Sequence, residues 1–331
     1  MIKKNVNIQV ATAGEALIDL IADADGRLQA CLGGAVYNLT RALARQGVET
    51  LYLNPLSRDC FGRQLALALQ HDDVELAVPE PVPQVTSLAV VNIDAGGHPE
   101  YAFYREGVAD RATSAGALTL ACSQLESLSV VCTGALALSP DDGETYLPWL
   151  AAQRQAGRTV VIDANLRPSV MPNLDLYRRH VLTALQYADV IKASDEDLEC
   201  LNLSGVGAIA QARHLLQYSR ASLLALTRGS AGAVLLTRFG QLFQAHEQES
   251  IPVVDTIGAG DCFLAGLVAA MLQQKLATDW GAEAVKDNVA RSLLGSAIAS
   301  ASLCVMQRGC VPPTRAEVLA RLALASISFA Q

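Results

Sequence analysis

The sequence predicts an α/β protein whose central sheet is largely parallel and is covered by helices on both faces. Short apolar runs that end in small or turn residues alternate with segments of helical periodicity along most of the chain. This alternation is typical of βαβ units. The chain has 331 residues, 51% of them apolar, which is enough for one large α/β unit. The predicted strands are Ile8–Ala13, Ser87–Ile93, Ser129–Cys132, Thr159–Ile162, Val190–Ile191, Leu223–Leu226 and Ala233–Leu236. The predicted helices are Asn38–Gln46, Phe61–Gln70, Thr145–Gln155, Leu174–Ala188, Ile209–Tyr218, Cys262–Gln274 and Val285–Ser302.

Two segments early in the chain break this rhythm. Asp19–Leu32 and Ser87–Arg105 have the pattern of strands and hairpins, the second with a turn at Asp94–Gly97. Ligands of open α/β sheets bind beyond the carboxyl ends of the strands, so a small β-sheet there would act as a lid. We therefore expect one domain over residues 1–331, with a β lid from about 19–32 and 87–107.

Charge and cysteine usage exclude several classes of protein. The chain has 25 basic and 33 acidic residues, a balance of −8, which is unlike a nucleic-acid binder. Its eight cysteines form no C-x-x-C pair, which favours a reduced, cytoplasmic protein. The first residues lack a signal-peptide core, and the charge-free run 292–307 is too short and too rich in serine to span a membrane. We expect neither nucleic acid nor a membrane as a partner.

The segment Asp255-Thr256-Ile257-Gly258-Ala259-Gly260-Asp261 carries the clearest chemical signal. It precedes an apolar run and predicts a glycine-rich loop that opens a buried helix. Small residues let backbone N–H groups approach an anion, and the helix dipole adds partial positive charge there. The plainer interpretation is a turn with Asp261 as the helix N-cap. A carboxylate beside an anion site also fits phosphoryl transfer, which needs a base next to stabilised phosphate oxygens.

This segment resembles D-T-x-G-A-G-D, the C-terminal signature of the ribokinase-like (PfkB) carbohydrate kinases. Four further segments resemble motifs of that family, two of them typical of its fructokinase branch, and the matches run from residue 14 to about 312. The resemblance implies a ribokinase-like fold, with a mostly parallel sheet flanked by helices and a small β lid. These four segments are Gly14–Asp19, Gly33–Asn38, Asp59–Gly62 and Phe103–Asp110.

The resemblance implies an ATP-dependent sugar kinase. In it, Asp261 would be the general base that removes the proton from the attacking sugar hydroxyl. The backbone N–H groups of Gly258, Ala259 and Gly260 would form the anion hole for the transferred phosphate. No G-x-x-x-x-G-K-[ST] motif is present, so a P-loop kinase is excluded.

Positions that match the family's motifs also imply which residues bind the sugar. A short carboxylate and an amide can bind adjacent hydroxyls, and glycine admits the sugar close to the backbone. By themselves the glycines would fit a plain turn and the arginines a solvated surface. The residues that match sugar-binding positions are Asp19, Gly33, Gly34 and Asn38, with Tyr104 and Arg105 from the lid and Arg167 from the D-x-N-x-R segment that begins at Asp163.

The nucleotide site is implied by two further segments. Thr227, Gly229 and Gly232 resemble the T-x-G-x-x-G that borders the nucleotide in the family. Lys192 and Ser194 open the segment that takes the place of the family's N-x-x-E, with serine for asparagine.

Two carboxylates are candidate metal ligands by the same resemblance. Asp197 replaces the glutamate of N-x-x-E, which helps to order Mg²⁺ and phosphates; by itself it would be a favourable first-turn charge. Asp255, with the backbone near Ile257, matches a position that often binds K⁺; by itself it would be a turn residue that ends a strand.

The acceptor sugar is left open by the sequence. Fructose is the first expectation, and 2-keto-3-deoxygluconate, a nucleoside or an aminoimidazole riboside are alternatives, as is a non-catalytic sugar sensor on the same fold. Three residues depart from the family pattern: Ser57, Tyr37 and Ile298. Tyr37 would place a bulky ring beside the loop at Gly33 and Gly34, called the sugar loop below. Ile298 falls near the nucleotide pocket. Since lids of this family also form dimers, a homodimer through the lid is expected.

Overall fold

The computed structural model describes residues 7–22, 26–93, 99–276 and 285–329. The strands, in chain order, are β1 (Val10–Thr12), β2 (Leu17–Ala22), β3 (Leu28–Gly33), β4 (Thr50–Tyr52), β5 (Glu75–Leu76), β6 (Ser87–Ile93), β7 (Pro99–Tyr104), β8 (Val130–Gly134), β9 (Thr159–Asp163), β10 (Val190–Ser194), β11 (Leu223–Thr227), β12 (Ala233–Thr237), β13 (Leu242–Glu247) and β14 (Ile327–Phe329). The helices are α1 (Ala35–Arg45), α2 (Cys60–His71), α3 (Ala115–Ser123), α4 (Gly143–Gln155), α5 (Leu174–Leu185), α6 (Asp195–Cys200), α7 (Ala208–Tyr218), α8 (Ala259–Gln273), α9 (Asp287–Val305) and α10 (Arg315–Ala323).

The main sheet has ten strands in the order β14-β13-β12-β11-β10-β9-β8-β1-β4-β5. All pairs from β5 to β11 are parallel, which confirms the predicted α/β class. From β11 to β14 the pairs are antiparallel. The reason is the connection between β11 and β12, a short 3₁₀ turn over Gly229–Ala231, which is too short for the crossover that a parallel pair needs.

Helices cover both faces of this sheet, and each face has its own apolar core. On one face α1, α8 and α9 pack over the strands, and α8 is buried from Asp261 to Met271. On the other face the core includes residues of α3 to α7, with Trp149 fully buried. Among the described helices, α9 alone is long and apolar enough to cross a membrane, but 56% of its most apolar 18-residue window is buried inside the fold. Its apolar residues therefore form a core face.

A second, four-stranded sheet has the order β3-β2-β6-β7. The chain leaves β1 at Thr12 and enters β2 at Leu17, so this sheet begins at the carboxyl end of a main-sheet strand. Its strands β2, β3, β6 and β7 coincide with the two segments predicted to form a lid. The turn predicted at 94–97 lies outside the described residues. The lid role and the single-domain boundary stay predictions.

Candidate active site

The centre of the candidate site is a group of charged residues at the carboxyl ends of neighbouring strands. Asp163 is the last residue of β9 and pairs in register with Lys192 of β10. The Lys192 Nζ lies 3.0 Å from an oxygen of the Asp163 carboxylate, and both side chains are buried. Asp261 stands in the first turn of α8 and is also buried. The parallel sheet thus brings together residues that are far apart in sequence.

The loop before α8 has the geometry that its glycines predict. Gly258 adopts a left-handed conformation with φ 76°, and a Cβ there would overlap the Sγ of Cys310. A Cβ on Gly260 would lie 2.9 Å from Lys192 Nζ, so the loop passes directly over this ammonium group. The helix N-terminus and the Lys192 ammonium group therefore offer N–H donors at the same place, where a phosphate could bind.

One of the three predicted anion-hole donors is already engaged. The N–H of Ala259 donates to the carbonyl of Thr256 at 3.2 Å, because the loop makes a turn there before the helix begins. Within the described chain, the N–H groups of Gly258 and Gly260 have no such backbone acceptor. The part of Ala259 in the anion hole stays a prediction, and the donors that the structure leaves available are those of the two glycines.

Asn38 of α1 connects the sugar loop to the candidate base. Its Nδ2 donates to the Oδ2 of Asp261 at 3.0 Å, across 223 residues of sequence. Its own Oδ1 is buried and has no hydrogen-bond partner among the residues that the structure describes. A buried amide oxygen without a donor is costly, and the hydroxyl group of a sugar would satisfy it.

The protonation of Asp261 is set mainly by its burial. The pKa of Asp261 is raised to about 7, mainly by burial and also by the nearby Asp163 carboxylate, against the lowering effects of the hydrogen bond from Asn38 and the charges of Lys192 and Arg167. Protonated and ionised forms are therefore both populated near neutral pH. A carboxylate with such a pKa can accept a proton from a substrate and release it again.

Asp163 is a site residue that the sequence analysis quoted only as part of a motif. Burial raises the pKa of its carboxyl to about 6, although Lys192 beside it acts in the opposite direction. For Lys192, burial lowers the pKa, but the carboxylates of Asp163 and Asp197 outweigh it and the net pKa is raised. The lysine therefore stays charged. The signal that could have identified Asp163 is its place directly after a predicted strand.

The predicted glycine pair of the sugar loop lies against Asp19 and Glu15. Gly34 has φ 103° at the start of α1, and a Cβ there would lie 2.7 Å from the carbonyl oxygen of Glu15. A Cβ on Gly33 would overlap the Asp19 carboxylate. Burial raises the pKa of Asp19 to about 6, and the charge of Arg167 opposes this rise. The charge of Arg167 lowers the pKa of both Asp19 and Asp261, so these three predicted residues lie in one region.

The two predicted substrate residues of the lid, Tyr104 and Arg105, are placed differently from the residues of the sugar loop. Arg105 is engaged in ion pairs with Asp110 at 3.2 Å and Asp142 at 3.3 Å. Tyr104 is 61% exposed at the end of β7. The arginine thus has a structural role that its motif did not reveal, and the substrate roles of Tyr104 and Arg105 stay predictions.

Glu15 is a second residue that the sequence analysis did not single out. It is buried, and its Oε1 accepts the N–H of Ala35 at 3.0 Å, which ties the strand region to the start of α1. Burial raises the pKa of Glu15 to about 7, while the charge of Arg105 opposes the rise. Its signal in the sequence is its place in the segment Gly14–Asp19, which resembles a family motif.

On the nucleotide side, Asp197 forms a capping box with Ser194. The Asp197 Oδ2 accepts the N–H of Ser194 at 2.8 Å, and the Ser194 Oγ accepts the N–H of Asp197 at 3.0 Å. The other oxygen of Asp197 accepts the N–H of Leu166 at 2.7 Å. This carboxylate therefore stabilises the start of α6 and the segment after β9. Its role toward Mg²⁺ stays a prediction.

The remaining predicted residues lie at strand ends and in the α8 loop. Thr227 ends β11, and Gly229 and Gly232 form the turn that follows it; their nucleotide role stays a prediction. The Asp255 carboxylate accepts the N–H of Ile257 at 3.0 Å and the N–H of Gly309 at 2.8 Å. It therefore connects the loop before α8 to the segment after α9.

The departures from the family pattern take up structural roles. Tyr37 does not lie open beside the sugar loop: it is fully buried, and its hydroxyl donates to the carbonyl of Leu65 at 3.2 Å. The helical periodicity of α1 points this ring into the core between α1 and α2. Ile298 is buried in the core of α9, and the Oγ of Ser57 accepts the N–H of Asp59 at 3.0 Å.

Comparisons with known proteins agree with this arrangement. The profile described as pfkB family carbohydrate kinase matches residues 7–316. A fructokinase of Salmonella typhimurium is 32% identical over 280 residues, which cover 83% of this chain and 88% of that protein. A solved fructokinase from Xylella fastidiosa with bound ATP superposes with a TM-score of 0.82 at 25% identity, over 97% of this chain and 99% of the other. A fructokinase double mutant from Vibrio cholerae O395 with bound fructose, ADP and potassium has the same fold, with a TM-score of 0.78 at 23% identity over 95% and 98% of the two chains.

Proposed function

Because the chain belongs to the pfkB family of carbohydrate kinases, we propose that it transfers the γ-phosphate of ATP to a hydroxyl group of fructose. The proposal rests on one observation, the hydrogen bond between Asn38 of α1 and Asp261 at the N-terminus of α8. This pair brings together the Asp261 carboxylate with its raised pKa, the amide oxygen of Asn38 that has no partner among the described residues, and a helix start that can bind an anion. The ligands named for the related fructokinases, ATP in one and fructose with ADP and potassium in the other, support the choice of substrates.

The reaction follows from the positions of these groups. The sugar hydroxyl donates its proton to the Asp261 carboxylate while its oxygen forms a bond to the γ-phosphorus. The bond from that phosphorus to the bridging oxygen breaks, and ADP leaves with the bonding electrons. Asn38 donates to Oδ2, and no hydrogen bond to the other carboxylate oxygen is seen among the described residues, so that oxygen can accept the proton of the hydroxyl. The N–H groups of Gly258 and Gly260 and the Lys192 ammonium stabilise the negative charge on the transferred phosphoryl group.

The donor set fits a nucleotide that arrives with Mg²⁺. The charges of Asp163, Asp197 and Asp261 all raise the pKa of Lys192, and Arg167 acts on Asp163 and Asp261, so three carboxylates share this region with two cations. Carboxylate oxygens are the protein ligands that Mg²⁺ prefers. Asp163 and Asp197 would hold the ion, which supplies positive charge to the phosphates.

Asp255 and the backbone near Ile257 are the proposed K⁺ ligands. Potassium should raise kcat relative to tetramethylammonium at equal ionic strength. Asp255→Asn should lose this difference, because a neutral amide replaces the charge that attracts the cation. Equal rates of the unmodified protein in the two salts would remove Asp255 from the list of metal ligands.

The acceptor is tested by measuring ADP release with ATP, Mg²⁺ and a panel of fructose, 2-keto-3-deoxygluconate, a nucleoside and an aminoimidazole riboside. Reactions without acceptor and with a Mg²⁺ chelator are the controls. We expect the highest kcat/KM with fructose. A higher value for another compound would replace fructose as substrate. ADP release at the no-acceptor rate for every compound would favour a sugar sensor instead.

The cellular setting and assembly are part of the same proposal. The eight free cysteines favour a reducing compartment such as the cytoplasm. A homodimer through the small sheet is proposed from the resemblance to the family. Size-exclusion chromatography with light scattering, at several protein concentrations, would show whether the chain is a dimer.

A further inference from the structure

Three cysteines meet directly behind the loop that opens α8. Cys262 lies in the first turn of α8, Cys304 in the last turn of α9 and Cys310 in the segment after α9. Their Sγ atoms all lie within 4.8 Å of one another, and none is in a disulfide. Cys262 and Cys304 are buried, whereas Cys310 is partly exposed. These residues, called the thiol triad below, take no part in the reaction derived above.

Each member of the thiol triad contacts or adjoins the phosphate-binding loop. Cys262 directly follows Asp261, and the Sγ of Cys310 fills the space that a Cβ on Gly258 would need. The thiol of Cys304 donates to the carbonyl of Ile257 at 3.6 Å. Any ligand that binds the three sulfur atoms would therefore also fix the loop that carries the anion hole and the base.

The donor set and its spacing fit a soft cation. Thiolates prefer ions such as Zn²⁺ and Cd²⁺ over Mg²⁺ or K⁺, which take oxygen ligands. With a Zn–S bond of about 2.3 Å, three sulfurs around one ion lie roughly 3.8–4.0 Å apart. Sulfur atoms that are already within 4.8 Å need to approach by no more than about 1 Å. The partly exposed Cys310 offers a path for the ion.

We propose that the thiol triad binds one soft divalent cation, of the Zn²⁺ and Cd²⁺ type, and that the bound ion inhibits the protein. Binding requires the loss of the thiol protons, so three neutral thiols become a metal–thiolate group of net charge −1. This negative charge lies behind Gly258 and Asp261, where it opposes the binding of phosphate. The ion also links α8 to the end of α9 and restricts the loop.

Binding is tested first, with a readout that does not depend on activity. The fully reduced chain is titrated with Cd²⁺ while the ultraviolet band of cadmium–thiolate charge transfer is followed, and calorimetry in two buffers counts the released protons. We expect one Cd²⁺ per chain with release of three protons, one from each thiol. Cys310→Ala and Cys304→Ser should each weaken binding at least ten-fold. Cys60→Ala, which removes an exposed cysteine elsewhere in the chain, should bind as tightly as the unmodified protein.

Two results would overturn the binding site. One is Cd²⁺ binding of unchanged affinity in Cys310→Ala and Cys304→Ser, with circular dichroism showing that both variants are folded. The other is loss of the charge-transfer band in Cys60→Ala. Since these readouts need no substrate, they stand even if fructose is not the acceptor.

Inhibition is tested next by ADP release in excess Mg²⁺ with added Zn²⁺. The unmodified chain and Cys60→Ala should lose activity at concentrations at least ten-fold lower than Cys310→Ala does. A zinc chelator, without a thiol reductant, should restore the activity. Recovery that required a reductant would show that a disulfide had formed, and would overturn the proposal, as would equal sensitivity of all three proteins.

Discussion

Asn38→Ala removes the hydrogen bond, 3.0 Å long, that stabilises the ionised form of Asp261. A hydrogen bond to a charged group contributes about 1.5–3 kcal/mol. At 1.36 kcal/mol for each pKa unit, its loss should move the acid limb of the kcat/KM profile upward by about 1–2 pH units. The pKa of Asp261 is about 7, so roughly half of the base is ionised at pH 7. In the variant about a tenth to a hundredth would be ionised, and kcat/KM at pH 7 should fall about 5–50-fold from this cause.

The assay is the pH dependence of kcat/KM for the sugar, measured by ADP release from pH 5 to pH 10. A loss of sugar binding by Asn38→Ala would lower kcat/KM by the same factor at every pH, whereas the loss of base ionisation should recover at high pH. Thr40→Val is the matched control, because Thr40 is buried on the same helix and its hydroxyl bonds Thr12 and the carbonyl of Val36. Its acid limb should stay in place. A deficit of Asn38→Ala that is constant over the whole pH range would refute the reasoning.

Three further variants test other parts of the structure. Arg105→Ala removes the ion pair of Asp110, which among the described residues keeps only the hydrogen bond from Ser87, whereas Asp142 keeps its ion pair with Arg111. The variant should lower the free energy of unfolding by about 3 kcal/mol in urea. It should also raise the KM of the sugar more than that of ATP. Gly258→Ala forces a Cβ against Cys310 and should lower kcat, whereas Gly240→Ala, at positive φ in open space, should not; equal rates of the two would argue against a tightly packed loop. Burial raises the pKa of Glu15 to about 7 in the folded chain, against an ordinary value of 4.5, so the stability that its protonated form contributes is full below pH 4.5 and is lost as the pH rises through 7. Glu15→Gln should remove about 3 kcal/mol of this pH dependence in urea unfolding, and an unchanged slope would contradict the assignment.

The strands of the main sheet could be predicted because they are short buried runs with helices between them. Their direction at one edge could not, since the antiparallel pairing of β11 with β12 depends on the length of a turn rather than on apolar pattern. The helix α10 was missed although its capping box, Thr314 with Glu317, is visible in the sequence. β14 has three residues and forms only by pairing with β13.

Some contacts of the candidate site could likewise be predicted from the sequence, and others could not. The register of β9 with β10 brings Asp163 to Lys192, so this pair could have been predicted from the strands alone. Asn38 and Asp261 could be placed together only through the resemblance to a family, because 223 residues separate them. The ion pair of Arg105 with Asp142 depends on how the small sheet packs on the main domain. No local pattern in the sequence encodes that packing.

The central claim is that Asp261 is the general base, and Asp261→Asn tests it most directly. The amide keeps the size of the side chain but cannot accept the proton of the sugar hydroxyl. We expect kcat for phosphoryl transfer to fall by about 10²–10⁴, with ATP affinity from equilibrium titration little changed. A kcat within a few-fold of the unmodified protein, at unchanged ATP affinity, would contradict the account.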